Sequence, residues 1–319
     1  MLGFRRSPAR RSAASAADAG GAQTRARAER LAAQLPPLLV EAERVAATVT
    51  QGVHGRRRVG TGESFWQFRA YQPGDPIARI DWRQTAKSQG TYVREQEWEA
   101  AQTLWLWRDG GASMDWSSDG ARLPTKRHRA SVLLLALAAL LARAGERVAL
   151  LDGEAPPSSG RSDLARLAAA LEAPPALAPP APGLPPVRPL PRHAEIVLIG
   201  DFLAPLPDLE QSLSALAGRG VRGHLLQVLD PAEATLPYHG RIRFAGLEDE
   251  PEETLVPRVE SIREAYLERL EAQQAGLSAM TRAAGWSFAW HSTDRPAQAA
   301  LLTLYGALGG IALAGAGRG

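Results

Sequence analysis

Apolar runs of strand length alternate with longer helix-like segments through the second half of the chain. The run Thr103–Trp107 (TLWLW) has the character of a strand buried on both faces, and the segment Val132–Ala142 is apolar all round a helix. Further strands are predicted at 146–151, 195–200, 222–230 and 286–292, and further helices at 208–217, at 257–284 and from about residue 296. Strands separated by helices predict right-handed crossovers and an α/β fold with a doubly wound, mostly parallel sheet.

Glycines mark the predicted ends of these helices. Gly145 follows the first helix, Gly218 the second and Gly285 the longest, and glycine is the residue that most often ends a helix. Asp208 is the predicted cap of the second helix. Between the fourth strand and the longest helix, Tyr238–Phe244 predicts a hairpin.

Composition divides the chain into three parts. Residues 1–30 predict a disordered tail rich in Arg and Ala, residues 31–100 an N-terminal extension with a helix and a β-rich part, and residues 101–317 the main domain. Within that domain, residues 173–191 are rich in proline and predict an exposed, polyproline-like connection. We interpret it as a stiff spacer, with a docking peptide for an aromatic groove as the alternative.

Composition also excludes several kinds of chemistry. The 319 residues are 45% hydrophobic, which is ample for a core, and the formal net charge is +3. The chain has no cysteine, which excludes disulfides and thiol nucleophiles, suits a reducing compartment and favours a cytoplasmic location. The basic residues are almost all arginine, because only Lys87 and Lys126 are lysines.

Neither a membrane span nor a nucleic-acid surface is predicted. The apolar run 132–142 is too short to cross a bilayer, and residues 299–316 are Gly-rich and interrupted by polar side chains. The basic run at 55–58 (GRRR) could hold phosphate, but no aromatic platform accompanies it.

The extension contains a strand, a turn and a charged segment in close succession. Glu63–Tyr71 alternates as a strand does, and Gln72–Asp75 (QPGD) has the residue choices of a type II turn. Ile80 and Trp82 are expected to share a strand face, which would point Asp81 the opposite way.

Charged and aromatic residues of this extension predict either a clasp or a partner surface. Pairs of arginine and carboxylate would fix the extension against the sheet, while an exposed patch of arginine and tryptophan is typical of an interface. The candidate residues are Arg69, Tyr71, Gly74, Asp75, Asp81, Trp82, Arg94 and Glu95.

An enzyme is the alternative hypothesis for the same segment. Asp75, Asp81 and Glu95 would serve as the carboxylates of a metal-dependent hydrolase. However, no histidine lies among them, and the chain lacks both a G-x-S-x-G elbow and a G-x-x-x-x-G-K-[ST] loop. We therefore expect a protein that is not an enzyme.

Two aspartates follow predicted parallel strands and should meet at one edge of the sheet. Asp109 follows the first strand, Asp201 follows the strand 195–200, and Ser113 lies four residues after Asp109. Ligands of doubly wound sheets collect beyond the carboxyl ends of the strands. These oxygen atoms are of the kind that Mg²⁺ or another hard divalent cation prefers.

Several segments resemble known families. DGGAS at 109–113 resembles the D-x-S-x-S metal-ion-dependent adhesion site of von Willebrand factor A domains, and the resemblance places Asp201 at that family's later aspartate. Four further segments resemble domain-of-unknown-function family 58, over about residues 31–310. They are FRAYQPGD (68–75), IDWR (80–83), YVREQEWE (92–99) and LLQVLDPAE (225–233).

The resemblance implies a binding protein with a degenerate metal site. Gly111 stands where the adhesion motif has its first serine, and no threonine occurs between Thr125 and Thr235 to supply the expected further ligand. Either the three remaining positions hold a divalent ion at reduced affinity, or the two aspartates only cap turns. Members of the family accompany MoxR-type AAA ATPases, so the implied role is a non-catalytic adaptor in protein assembly, maturation or stress response, acting on a client protein.

Overall fold

The computed structural model describes the chain from residue 37 to residue 315 with gaps. The described residues are 37–53, 65–71, 80, 82–87, 90–96, 103–173, 183–192, 194–218, 220–247 and 253–315. The predicted tail at 1–30, the turn at 72–75 and the basic run at 55–58 lie outside them, as do Gly74, Asp75 and Asp81.

Helices and strands alternate along the described residues, as the apolar pattern predicts. In chain order they are α1 (Pro37–Val53), β1 (Phe65–Ala70), α2 (Trp82–Thr85), β2 (Tyr92–Gln96), β3 (Thr103–Arg108), α3 (Lys126–Arg143), β4 (Arg147–Leu150), α4 (Arg161–Glu172), β5 (Glu195–Gly200), α5 (Leu206–Ala217), β6 (Arg222–Leu229), α6 (Pro231–Thr235), β7 (Ile242–Ala245), β8 (Glu253–Val256), α7 (Arg263–Ala283), β9 (Ser287–Ser292) and α8 (Ala297–Gly315). Short 3₁₀ turns cover Ala112–Asp115 and Val259–Ser261.

Five parallel strands form the central sheet in the order β4-β3-β5-β6-β9. Counted along the main domain, this is the strand order 2-1-3-4-5 of doubly wound sheets. The predicted α/β fold with a mostly parallel sheet is confirmed. Because all five strands run the same way, the loops that follow them gather at one carboxyl edge.

Helices cover both faces of this sheet, and the pleat of each strand divides its side chains between two cores. Along β3, Leu104 and Leu106 pack among buried residues of α1, α3, α4 and α8. Trp105 and Trp107 point to the opposite face, where they meet buried residues of α5 and α7. Successive side chains of a strand point to opposite faces, so an uninterrupted apolar run is required.

Two ends of the observed helices differ from those that the sequence predicts, and the glycine-terminated ends agree. Gly145 and Gly285 end α3 and α7 with φ of 84° and 71°, a left-handed conformation that glycine adopts without strain. Asp208 is not the cap of α5 but lies in its first turn. The longest helix begins at Arg263 rather than at residue 257, because β8 pairs with β7 and a 3₁₀ turn follows it.

The extension contributes a helix to the main core and a separate two-stranded sheet. One face of α1 is buried against α3. Strands β1 and β2 pair antiparallel, and the register is irregular between Phe65 and Gln67. The prediction that Ile80 and Trp82 share a strand face is wrong, because Trp82 begins helix α2 and is 64% exposed.

The second half of the proline-rich segment is docked on the domain rather than fully exposed. Residues 183–190 form neither helix nor strand, as expected, but Pro185 and Leu190 are buried. The guanidinium of Arg188 lies 5.0 Å from the ring centroid of Trp105 and donates to the carbonyls of Leu151 and Gly153. The prediction of an exposed connection is corrected for these residues, since apolar contacts and the arginine bind them to the domain.

Among the described residues, no helix is both long enough and apolar enough to span a membrane.

Candidate functional site

Three buried aspartates lie at the carboxyl edge of the sheet. Asp109 follows β3, Asp201 follows β5 and Asp230 follows β6, and these strands are neighbours. The register pairs Arg108 with Ile199, so Asp109 lies beside Gly200, the residue before Asp201. The structure therefore places Asp109 and Asp201 at the same edge, where α/β proteins bind their ligands.

Asp109 organises the backbone of the loop that follows it. Its Oδ1 accepts from the N–H of Gly111 at 2.8 Å and from the N–H of Gly183 at 3.3 Å. The first bond closes a turn in which the aspartate side chain accepts from the backbone amide two residues later. A Cβ on Gly200 would lie 2.9 Å from the Cβ of Asp109. The glycine thus permits the close approach of the two strand ends.

Ser113 and Asp201 are in direct contact although 88 positions separate them. The Ser113 hydroxyl, on the 3₁₀ turn, donates to Asp201 Oδ2 at 2.7 Å. The other oxygen of Asp201 accepts from the N–H of Leu203 at 3.4 Å. Between them, the buried Phe202 has φ of 48°, a left-handed conformation that bulky residues rarely adopt. The loop after β5 is therefore held in a strained shape by its neighbours.

A lysine ammonium occupies the centre of this acidic edge. Lys126 is completely buried, and its Nζ donates to Asp201 Oδ2 at 2.9 Å and to Glu233 Oε1 at 2.5 Å. Burial lowers the pKa of Lys126, but the charges and hydrogen bonds of Asp201 and Glu233 outweigh burial and raise it overall. The side chain is therefore a stable ammonium that joins the loops after β5 and β6.

Glu233 and Asp230 form a reciprocal cap at the start of α6. Asp230 accepts from the N–H of Ala232, and Glu233 Oε2 accepts from the N–H of Asp230 at 2.9 Å. The second oxygen of Asp230 accepts from the N–H of Ser118 at 2.9 Å, which attaches the loop after β3 to β6. Burial raises the pKa of Glu233, and Lys126 opposes that shift.

Arg127, the next residue of α3, fixes the DGGAS loop from the other side. Its Nη2 donates to the carbonyls of Gly110 and Gly111 at 3.0 and 3.1 Å and pairs with Asp115. Arg108 donates to the hydroxyl of Ser131 and to the carbonyl of Leu171 on α4. Burial lowers the pKa of Arg108 to about 10, so its guanidinium remains charged at neutral pH.

The donor set does not fit the Mg²⁺ ion that the adhesion-site resemblance implies. Magnesium requires about six oxygen ligands at 2.0–2.1 Å. Asp201 Oδ2 already accepts from Ser113 and Lys126, and Asp109 Oδ1 accepts from two backbone amides. Among the described side chains, no group of three or more His, Cys, Asp and Glu residues could hold a metal ion. The arrangement agrees with the alternative in which the aspartates close turns.

Sequence reasoning identified part of this site and missed its cation. It selected Asp109, Ser113 and Asp201, which the structure brings to one edge. It did not select Lys126 or Glu233, which lie 75 and 32 positions from Asp201. A signal for Lys126 exists, because it is one of two lysines among 37 basic residues and stands at the start of a helix.

The predicted clasp residues lie on or next to the two-stranded sheet, or outside the described residues. In the register, Arg69 pairs with Val93 and Arg94 with Phe68, while Glu95 pairs with Gln67. The remaining described members are Tyr71, whose N–H donates to the carbonyl of Thr91 at 2.8 Å, and the exposed Trp82. The arginine and carboxylate pairs of the clasp, and the alternative hydrolase centre, stay predictions.

The fold and this site define an α/β protein with a doubly wound parallel sheet and a buried, lysine-bridged acidic cluster at its carboxyl edge. The family model described as "Protein of unknown function DUF58" matches residues 67–276. The chain belongs to this family. Uncharacterized proteins of Mycobacterium tuberculosis and Mycobacterium bovis are 31% identical over 227 residues, which cover 67% of this chain and 69% of theirs.

Two solved structures also match this chain, both at low sequence identity and low TM-score. Conserved hypothetical protein BatB of Bacteroides thetaiotaomicron is 13% identical with a TM-score of 0.37, covering 64% of this chain and 96% of that chain. An aerotolerance-related membrane protein of Bacteroides fragilis is 14% identical with a TM-score of 0.39, covering 66% of this chain and 99% of that chain.

Proposed function

We propose that this protein is a non-catalytic binding module with a von Willebrand factor A-like frame that engages a partner through the carboxyl edge of its sheet. The observation that carries the proposal is the cluster of Ser113, Lys126, Asp201 and Glu233, which joins three separate loops in one buried network. Loops fixed in this way form a preformed surface, which lowers the entropic cost of binding.

The chemistry of the cluster suits a scaffold better than a reaction centre. The ammonium of Lys126 has no exposed surface, and Asp201 is 3% exposed, so neither can touch a substrate without an opening of the loops. Both carboxylate oxygens of Glu233 already accept hydrogen bonds, one from Lys126 and one from the N–H of Asp230. A group that is saturated with internal hydrogen bonds is a poor proton donor or acceptor for a substrate.

Exposed residues in the loops at this carboxyl edge are candidates for partner contact. Leu203 is 44% exposed, and its N–H donates to Asp201. Asp115 is 58% exposed and pairs with Arg127. Interfaces combine apolar contacts with a polar rim, and these loops expose residues of both kinds.

The partner that the family resemblance implies is a MoxR-type AAA ATPase, and we place the complex in the cytoplasm. The role that follows is that of an adaptor, which presents a client protein to the ATPase for assembly, maturation or stress-linked chaperone work. The assignment of this partner to the carboxyl edge is part of the proposal.

Co-purification of the full-length protein with a MoxR-type ATPase tests the proposal directly. We expect association, and we expect Leu203→Asp to weaken it at least about tenfold, equivalent to about 1.4 kcal/mol. Leu302→Asp is the matched control, because Leu302 is 45% exposed but lies on helix α8. Both changes are at the surface and should leave the fold intact. Failure to associate, with and without nucleotide and magnesium, would contradict the proposal, as would equal effects of the two variants.

A further inference from the structure

The position of Lys126 is electrostatically unfavourable unless the site requires a cation. It is the first residue of α3, with Thr125 as the capping residue. The N-terminus of a helix carries partial positive charge, so a cation is disfavoured there. Complete burial disfavours the charge further. Departures from local rules of this kind occur at sites that have a specific role.

The two carboxylates that surround Lys126 account for the departure. Asp201 comes from the loop after β5 and Glu233 from the first turn of α6, and both accept from Nζ. The oxygen of Asp201 that binds Lys126 also accepts from Ser113, at 2.7 Å. The ammonium thus contacts the same carboxylate oxygen as the serine of the DGGAS loop.

A divalent ion and this ammonium compete for the same oxygen atom. An ion bound to Asp201 Oδ2 at about 2 Å would lie within about 5 Å of Nζ, which is 2.9 Å from that oxygen. Like charges at such a distance repel strongly in a buried site. Asp201 Oδ2 already accepts from Ser113 and Lys126, so an ion on this oxygen must displace one of the two donors, and if the ammonium stays, the ion meets its repulsion.

We propose that Lys126 is the built-in cation of this site and makes its geometry independent of metal. The ammonium offsets one of the two negative charges of Asp201 and Glu233 and joins their loops, while Arg127 holds the carbonyls of Gly110 and Gly111. The consequence for partner binding rests on the proposed function: association through this edge is insensitive to chelators. The claim about the site itself concerns the protein alone.

The first test is the response of the wild-type protein to metal. After treatment with a chelator, calorimetry with Mg²⁺ and Mn²⁺ is expected to give no saturable heat, and the melting temperature is expected to stay within about 1 °C on addition of either ion. Saturable binding that Asp201→Asn abolishes would overturn the proposal.

The second test replaces the cation. Lys126→Ala is expected to lower the melting temperature by several degrees and to create a response to metal, because it leaves Asp201 and Glu233 without a counter-charge. A Mn²⁺ concentration about a hundredfold above its dissociation constant should raise the melting temperature by about 5 °C or more. The double variant with Asp201→Asn should lose this response, and Lys87→Ala, at an exposed lysine, should behave as wild type.

The outcomes of the second test are distinct. A folded Lys126→Ala protein without a response to Mn²⁺ would overturn the equivalence of lysine and ion. Lys126→Met keeps the length of the side chain and replaces Lys126→Ala if that variant does not fold. If neither folds, with or without Mn²⁺, the wild-type calorimetry decides alone. These measurements need no partner, so a failure of the proposed ATPase association leaves their result unaffected.

Discussion

Replacement of Glu233 by glutamine removes one of the two charges that hold Lys126, while it preserves the size of the side chain. Glu233 accepts at both oxygens, from Lys126 Nζ at 2.5 Å and from the N–H of Asp230 at 2.9 Å. Glutamine offers one oxygen and one NH₂ group. In either orientation of the amide, a donor therefore faces another donor.

The expected cost follows from these contacts. A hydrogen bond to a charged group contributes about 1.5–3 kcal/mol, and the side chain of Glu233 is only 18% exposed, so water screens it little. Asp201 continues to pair with Lys126, which keeps the cost below the roughly 3–5 kcal/mol of a fully broken buried pair. Burial raises the pKa of Glu233, so neutralisation also recovers some desolvation. We expect a loss of about 2–3 kcal/mol in the free energy of unfolding.

Urea unfolding followed by tryptophan fluorescence measures this change. The melting temperature should fall by about 2–4 °C for each kcal/mol of lost stability. Glu210→Gln is the matched control, because Glu210 is exposed on α5, and it should change stability by less than about 0.5 kcal/mol. If Glu233→Gln is as stable as Glu210→Gln, the buried ammonium does not depend on Glu233 and the reasoning is refuted.

Two further predictions concern packing and pH. Gly223→Ala should lower the free energy of unfolding, measured in urea, by about 3 kcal/mol or more, because its Cβ would lie 2.2 Å from the ring of Trp286. Gly276→Ala should cost less, because its Cβ would meet the flexible side chain of Leu206. Equal losses in the two variants would contradict this. Burial, and then the charge of Arg129, lower the pKa of His291 to about 4, so the folded protein takes up this proton less readily than the unfolded chain. The free energy of unfolding should fall as pH decreases from about 6.5 towards about 4, by about 2 kcal/mol between pH 7 and pH 5. His291→Gln should lose this part of the pH dependence. A variant with the same dependence of stability on pH as the wild type would show that His291 is not its source.

The sequence determined the α/β architecture because the relevant signals are local. The apolar run of β3, the enclosed helix α3 and the glycines that end α3 and α7 each depend on neighbours within a few residues. The alternation of these elements then places Asp109 and Asp201 at the same edge, since parallel strands end together. Local signals failed at Trp82, where a pattern of three residues cannot distinguish a strand from one turn of helix.

Only the tertiary structure decided what lies between the two aspartates. Lys126 reaches Asp201 across 75 positions and Glu233 across 107, and no pattern in the neighbouring sequence reports a contact of that separation. The docking of the proline-rich segment on Trp105 is likewise non-local. The sequence supplies the oxygen atoms of a metal-type site, whereas the fold brings an ammonium to them, because charge pairing in a buried site depends on distance in space and not on position along the chain.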